Sequence, residues 1–145
     1  MSDANEIPTE ASALLAQSRR VFLLTLRPDG SPTAHPMTGN FARGRLAFSS
    51  YRKAAKTRNA VRDPRSCALA LEGYAGAGAR AVVTRGRLQL LEGEAAAELL
   101  GAGGAAARPG NPGVAKRASD RLAEGKRVVL AIEPAEVELL RSGEA

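Results

Sequence analysis

Apolar and polar positions change period several times along the 145-residue chain, and each change marks an element. Ala11, Leu14 and Leu15 recur at helical spacing behind Thr9, a residue type that caps helix N-termini. This helix is expected to stop near Arg19, where cations suit the helix dipole. VFLLTL (21–26) is a short apolar run, and Arg27-Pro28-Asp29-Gly30 after it is a turn signal between extended segments. The returning strand is expected over 32–42. Pro32 and Pro36 donate no ladder hydrogen bond, so it is an edge strand or a bulged one. A third strand, Arg45 to Ser49, alternates Leu46 and Phe48 with polar neighbours. From Arg52 to Asp63 the period is helical, with Ala54, Thr57 and Val61 on one face and Arg52, Lys53, Lys56 and Asn59 on another. Asp63-Pro64 ends that helix.

In the second half, a strand from Ser66 to Leu71 puts Cys67, Leu69 and Leu71 on one side, with Cys67 read as a buried structural thiol. A glycine-rich connection (72–79) leads to a strand from Arg80 to Leu91, with Val82, Thr84, Gly86, Leu88 and Leu90 inward. A short helix is expected over 93–100, a flexible low-complexity loop over 101–113 and a basic helix over 114–122. Strands over 127–132 and 137–140 follow, divided at Glu133-Pro134. Residues 1–8 read as a loose lead-in. Hairpins without regular strand–helix alternation predict one mainly β domain over 1–145, an antiparallel barrel with attached helices rather than a doubly wound parallel sheet.

Composition narrows the function classes. Hydrophobic residues at 44% and charged residues at 25% match globular proteins, which excludes wholesale disorder. No apolar run approaches the roughly 20 residues of a membrane span, and the polar, acidic N-terminus is not a secretory signal. One cysteine makes no internal disulfide, and one histidine with one cysteine makes no structural zinc site. A cytoplasmic protein without a metal or a membrane partner is expected. With no tryptophan and 3% aromatic residues, the core rests on leucine, valine and alanine, which bury little area and favour help from a partner surface. A net charge of +6 favours anionic partners. Nucleic acid is not expected among them, because stacking platforms are scarce.

Gly73 to Gly78 tempts as a phosphate loop, but it joins two strands and lacks the following lysine, so it reads as a plain connection. Tyr51 and Tyr74 are the two phenols, neither with a role that its position requires. His35 reads as a neutral, hydrogen-bonded strand histidine, with a site-lining or acid–base role and haem ligation as the alternatives. The sharper signal is Ser49-Ser50-Tyr51-Arg52-Lys53-Ala54-Ala55-Lys56-Thr57-Arg58-Asn59. Two hydroxyls end a strand, and cations crowd the start of a helix, where lysine is unfavourable unless an anion is bound. A solvated basic face is the other reading of the same residues.

LRPDGSP (26–32), LAFSS (46–50), AKTRNAVRDPR (55–65), VTRGRLQLLEG (83–93) and RVVLAIEPAEV (127–137) together carry a resemblance. In these segments the chain resembles the pyridoxamine-phosphate-oxidase-like, flavin-binding split β-barrel superfamily, and AKTRNAVRDPR most resembles the branch that uses the deazaflavin F-420. The resemblance implies a Greek-key, antiparallel split β-barrel that forms a homodimer, with cofactor sites at the subunit interface. It implies F-420 or FMN as cofactor and hydride transfer with a small organic substrate. Lys56 and Asn59 match the phosphate-contacting lysine and asparagine, Ser49 and Ser50 match the strand-end positions beside them, and Lys53 adds a cation. The strand through His35, Pro36 and Met37 would lie along the cofactor ring. No catalytic acid is implied. Arginine is common in the F-420 branch at the position of Ala54, with Arg52 and Lys53 as the neighbouring cations here. The arginine and lysine set of a true pyridoxamine-phosphate oxidase is absent from the second strand, which speaks against vitamin B6 oxidation. A cofactor- or haem-binding protein without turnover is the alternative.

Overall fold

The computed structural model of the chain describes residues 7–17, 20–72, 79–102 and 124–141. They form seven strands and three helices. The strands are β1 (Val21–Leu26), β2 (Pro32–Met37), β3 (Asn40–Ala42), β4 (Arg45–Tyr51), β5 (Arg65–Glu72), β6 (Arg80–Leu91) and β7 (Arg127–Arg141). The helices are α1 (Thr9–Gln17), α2 (Ala55–Arg62) and α3 (Gly93–Ala102). Every strand pair is antiparallel, in the order β2-β1-β5-β6-β7-β4-β3. The mainly antiparallel half-barrel with attached helices is a split β-barrel.

The strand expected over 32–42 divides in two. Thr38-Gly39 interrupts it, and its halves lie at opposite ends of the sheet order, β2 on β1 and β3 on β4. A Cβ at Gly39 would come within 2.9 Å of Val21 and 3.2 Å of Leu46, so glycine lets the chain cross close over the core. The prolines sit where a missing N–H costs least, on the edge strand β2.

The last two expected strands merge instead. β7 runs unbroken through Glu133-Pro134 and pairs with β4 through its first six residues and with β6 along its length. A bulge at Arg85/Gly86 absorbs the proline. A Cβ on Gly86 would lie 1.9 Å from the Glu133 carbonyl oxygen, so only glycine fits there.

Leu23, Leu46, Phe48, Val82, Val128, Leu130 and Ile132 fill the barrel, and α1 covers them with Leu14 and Leu15. The opposite face of β3, β4 and β7 carries Ala42, Ala47, Val129 and Ala131 under Ala96 and Leu99 of α3. Ion pairs from Arg80 to Glu10 (2.7 Å) and Glu72 (2.6 Å) tie α1 to the sheet.

The expected face of β5 is reversed, and that of α2 is rotated, keeping Thr57 inside but turning Val61 out and Asn59 in. On β5 the small Ala68 and Ala70 point into the barrel, so Cys67, Leu69 and Leu71 lie half-exposed on the outer face, and Cys67 is not deeply buried. Its partial burial still raises the thiol pKa. On α2, Thr57, Asn59 and Ala60 are buried while Val61 is 67% exposed. The helix itself starts only at Ala55, with Arg52 and Lys53 in the turn before it. The expected loop (101–113) lies outside the described residues except for Gly101 and Ala102, which close α3, and the basic helix (114–122) and Gly73–Gly78 lie outside them too. Among the described residues no helix is long and apolar enough to cross a membrane, and no group of three metal-binding side chains comes together.

Candidate functional site

The β1–β2 hairpin and α2 face each other across a groove of about 570 Å³. Asp29 shapes the hairpin end by accepting from the Ser31 hydroxyl (2.6 Å) and backbone N–H (2.9 Å). Those bonds hold its carboxyl below the usual range. Gly30, at φ 86°, supplies the left-handed residue that the turn needs. The hairpin brings Arg27, Thr33 and His35 to the groove, and α2 brings Ala55, Arg58, Asn59 and Arg62. The helical four share one face by their spacing, while Thr33 and His35 alternate along β2.

A hydrogen-bonded chain stitches the floor. Arg62 donates to the Leu26 carbonyl (2.8 Å) and to Asn59 Oδ1 (2.7 Å). Asn59 Nδ2 donates to Thr25 Oγ1 (3.1 Å), which stands 3.4 Å from His35 Nε2. Asn59 and Thr25 are almost wholly buried, so their polar groups need these partners. His35 is held below its usual pKa first by burial and then by the charge of the nearby Lys56.

The groove is electropositive. Among the described residues that line it, none is acidic. Arg27, Lys56, Arg58 and Arg62 form no ion pair within 4 Å among the described residues, although six other arginines do. α2 adds its N-terminus, since Ala54 at the N-cap position gives no side-chain cap and leaves first-turn N–H groups for an outside acceptor. Such an arrangement receives a phosphate or another compact anion.

The residues singled out from the sequence fall into separate surroundings. His35, Asn59 and the half-buried Lys56 belong to the groove or its border. Ser50 does not face it. It is 2% exposed, and its Oγ lies 2.7 Å from Thr57 Oγ1, which donates to the Tyr51 carbonyl at 2.7 Å. The pair braces α2 against β4, which gives the Ser50 hydroxyl a structural partner. Ser49 points to the other side of β4 and accepts from Arg127 Nη1 (2.7 Å), whose guanidinium stacks on Tyr51. Lys53 lines a second groove with Tyr51, Arg52 and Lys126, where Arg52 pairs with Glu92 and Lys126 with Glu124. Alternation on β2 turns Pro36 outward and Met37 onto the core. Thr25, Arg27, Thr33 and Arg62 were not singled out from the sequence, and Arg58 only as part of the basic stretch 49–59. The spacing of Ala55, Arg58, Asn59 and Arg62 was the available signal.

Against known proteins, the family model described as pyridoxamine 5'-phosphate oxidase matches residues 7–141. A search of curated proteins finds no match. A conserved hypothetical protein from Mycobacterium tuberculosis is similar in structure, with TM-score 0.76 and 24% identity, over 97% of this chain and 85% of its own. A heme binding protein from Mycobacterium smegmatis aligns at TM-score 0.76 and 20% identity over 100% of this chain, which spans 57% of that longer protein. An F-420 reductase aligns at TM-score 0.65 and 19% identity, over 91% of this chain and 98% of its own.

Proposed function

Given that the chain belongs to the pyridoxamine 5'-phosphate oxidase family, we propose that it is an oxidoreductase that binds F-420 or FMN and transfers a hydride to or from a small organic substrate. The observation that carries this reading is the groove beside the α2 N-terminus, whose arginines pair with no carboxylate among the described residues. Its donors are those a cofactor phosphate needs, since charge-assisted bonds to arginine and to backbone N–H are the strong ones. The shared fold of the F-420 reductase supports the same reading.

When bound, the cofactor supplies the hydride chemistry, and the protein supplies binding and orientation. Arg27, Arg58 and Arg62 would hold the phosphate, with Lys56 adding positive potential at the border. β2 is an edge strand, so one side of its backbone is free to bond the polar rim of a planar ring. β2 reads PTAHPM and carries no arginine or lysine, so it offers nothing to the second phosphate of a phosphorylated substrate. Oxidation of pyridoxamine phosphate is therefore not part of the proposal.

The working unit in this reading is a homodimer. The outer face of β1, β5, β6 and β7 carries Phe22 beside Leu69, Leu69 beside Val83, and Ala81 between Leu71 and Leu140. A second copy of this face would bury the half-exposed Phe22, Leu69, Leu71 and Ala81 around the already buried Val83.

The test is direct. Purified protein is incubated separately with FMN, F-420 and haem, freed of unbound ligand, and its visible spectrum recorded. Retention of FMN or F-420 is expected. Retention of haem alone, or of none, contradicts the proposal.

A further inference from the structure

We infer that His35 is a specificity-determining hydrogen-bond donor: a neutral imidazole that carries its proton on Nδ1 and offers it to an acceptor atom of the bound cofactor, in a tautomer set by Arg62 through Asn59 and Thr25. For the identity of the ligand, the inference rests on the function proposed above.

The direction of the chain follows from elementary chemistry. A guanidinium only donates, so the amide atom 2.7 Å from Arg62 has to be the oxygen. The amide nitrogen then faces Thr25 Oγ1, and because that nitrogen only donates, the hydroxyl accepts from it. The hydroxyl keeps its own proton, and the partner in reach is His35 Nε2 at 3.4 Å. A nitrogen that accepts carries no proton, so the proton of the neutral ring sits on Nδ1. The ring lines the groove, and Nδ1 has no protein partner among the described residues.

The surroundings keep the ring neutral. Among the described residues, Lys56 and Arg58 from α2, Arg62 from its last turn and Arg27 from the hairpin are the charged groups around it, and all are cations. A second proton on the ring would meet their repulsion and would break the bond from Thr25. His35 therefore differs from the arginines around it: it selects an acceptor atom in one direction and adds no charge. The same assignment leaves neither ring nitrogen free for a haem iron, since one lone pair takes the Thr25 proton and the other nitrogen bears a hydrogen.

His35 is the only histidine in the chain, so 15N-histidine labelling of untagged protein reports one imidazole. In the unliganded wild type at pH 7, nitrogen–proton correlation spectra should show a neutral ring protonated at Nδ1 only. Thr25→Ser, which keeps the hydroxyl, should preserve that pattern, and Thr25→Val should lose it and give mixed tautomers. Protonation at Nε2 or at both nitrogens in the wild type overturns the inference, as does an unchanged pattern in a folded Thr25→Val protein. These spectra need no ligand, so they stand apart from the proposed function. Addition of FMN or F-420 should move the Nδ1 proton signal and keep the tautomer. Binding of either cofactor without that movement overturns the contact, whereas failure of both to bind contradicts the proposed function and leaves the tautomer standing.

Discussion

Ser50 and Thr57, one near the end of β4 and one in the first turn of α2, share a buried hydrogen bond of 2.7 Å. Thr57 passes its own proton to the Tyr51 carbonyl, so Ser50 is the donor of the pair. The bond fixes the start of α2, and through it the arginine face of the groove. Ser50→Ala should cost about 1 kcal/mol of stability in denaturant unfolding, the usual worth of one such bond. Cofactor affinity should stay within about two-fold, because the hydroxyl is buried on Thr57 and does not line the groove.

Arg62 has two duties, as a groove cation and as the anchor of Asn59. Arg62→Lys keeps the charge but loses the planar guanidinium that places Nη2 between the Leu26 carbonyl and the amide. Cofactor affinity measured by fluorescence titration should fall about ten-fold in Arg62→Lys, and further in Arg62→Ala. Equal affinity in wild type and Arg62→Ala would remove this residue from the site.

The architecture was legible in the sequence because hydrophobic alternation and turn chemistry are local. VFLLTL and the Pro-Asp-Gly turn predict β1, and the helical period of 93–100 predicts α3. The faces of β5 and α2 were not legible. Cys67, Leu69 and Leu71 make the more apolar side of β5, yet the barrel has room only for Ala68 and Ala70 opposite the bulkier Leu23 and Val82. Asn59 is matched to a phosphate contact only through the family resemblance, and its burial depends on Thr25 and Arg62, which are distant or differently placed along the chain. The burial of Ser50 is hidden in the same way, since its partner Thr57 comes from another element.

The outer sheet face should hold two chains together. Sedimentation of the wild type at micromolar concentration should give twice the mass of one chain. Leu69→Asp, in the middle of that face beside Phe22 and Val83, should shift the protein to monomer, because it would bury an unpaired carboxylate in the interface. A wild-type monomer would contradict the dimeric reading.

His35 should titrate below its usual value near 6.5, first from burial and then from Lys56. Because the folded value is the lower one, the unfolded chain binds more protons in between. The contribution to stability is thus complete above about pH 6.5 and lost as pH falls through the folded value. Unfolding experiments should show a larger loss from pH 7.5 to 5 in wild type than in His35→Gln. In Lys56→Ala the histidine NMR titration should move upward. A midpoint above 6.5 in the wild type would contradict this reading.

The central claim is that the cofactor phosphate lies in the groove between the β1–β2 hairpin and α2, and not in the second groove that holds Lys53. Titration of FMN and F-420 into wild type, Arg58→Ala, Lys56→Ala and Lys53→Ala measures this directly. A charge-assisted bond is worth about 1.5–3 kcal/mol, so Arg58→Ala should weaken binding roughly ten- to a hundred-fold. Lys56→Ala should weaken it by about the same factor or less, and Lys53→Ala should leave it within about two-fold. Loss of affinity in Lys53→Ala with Arg58→Ala and Lys56→Ala unchanged would contradict the account.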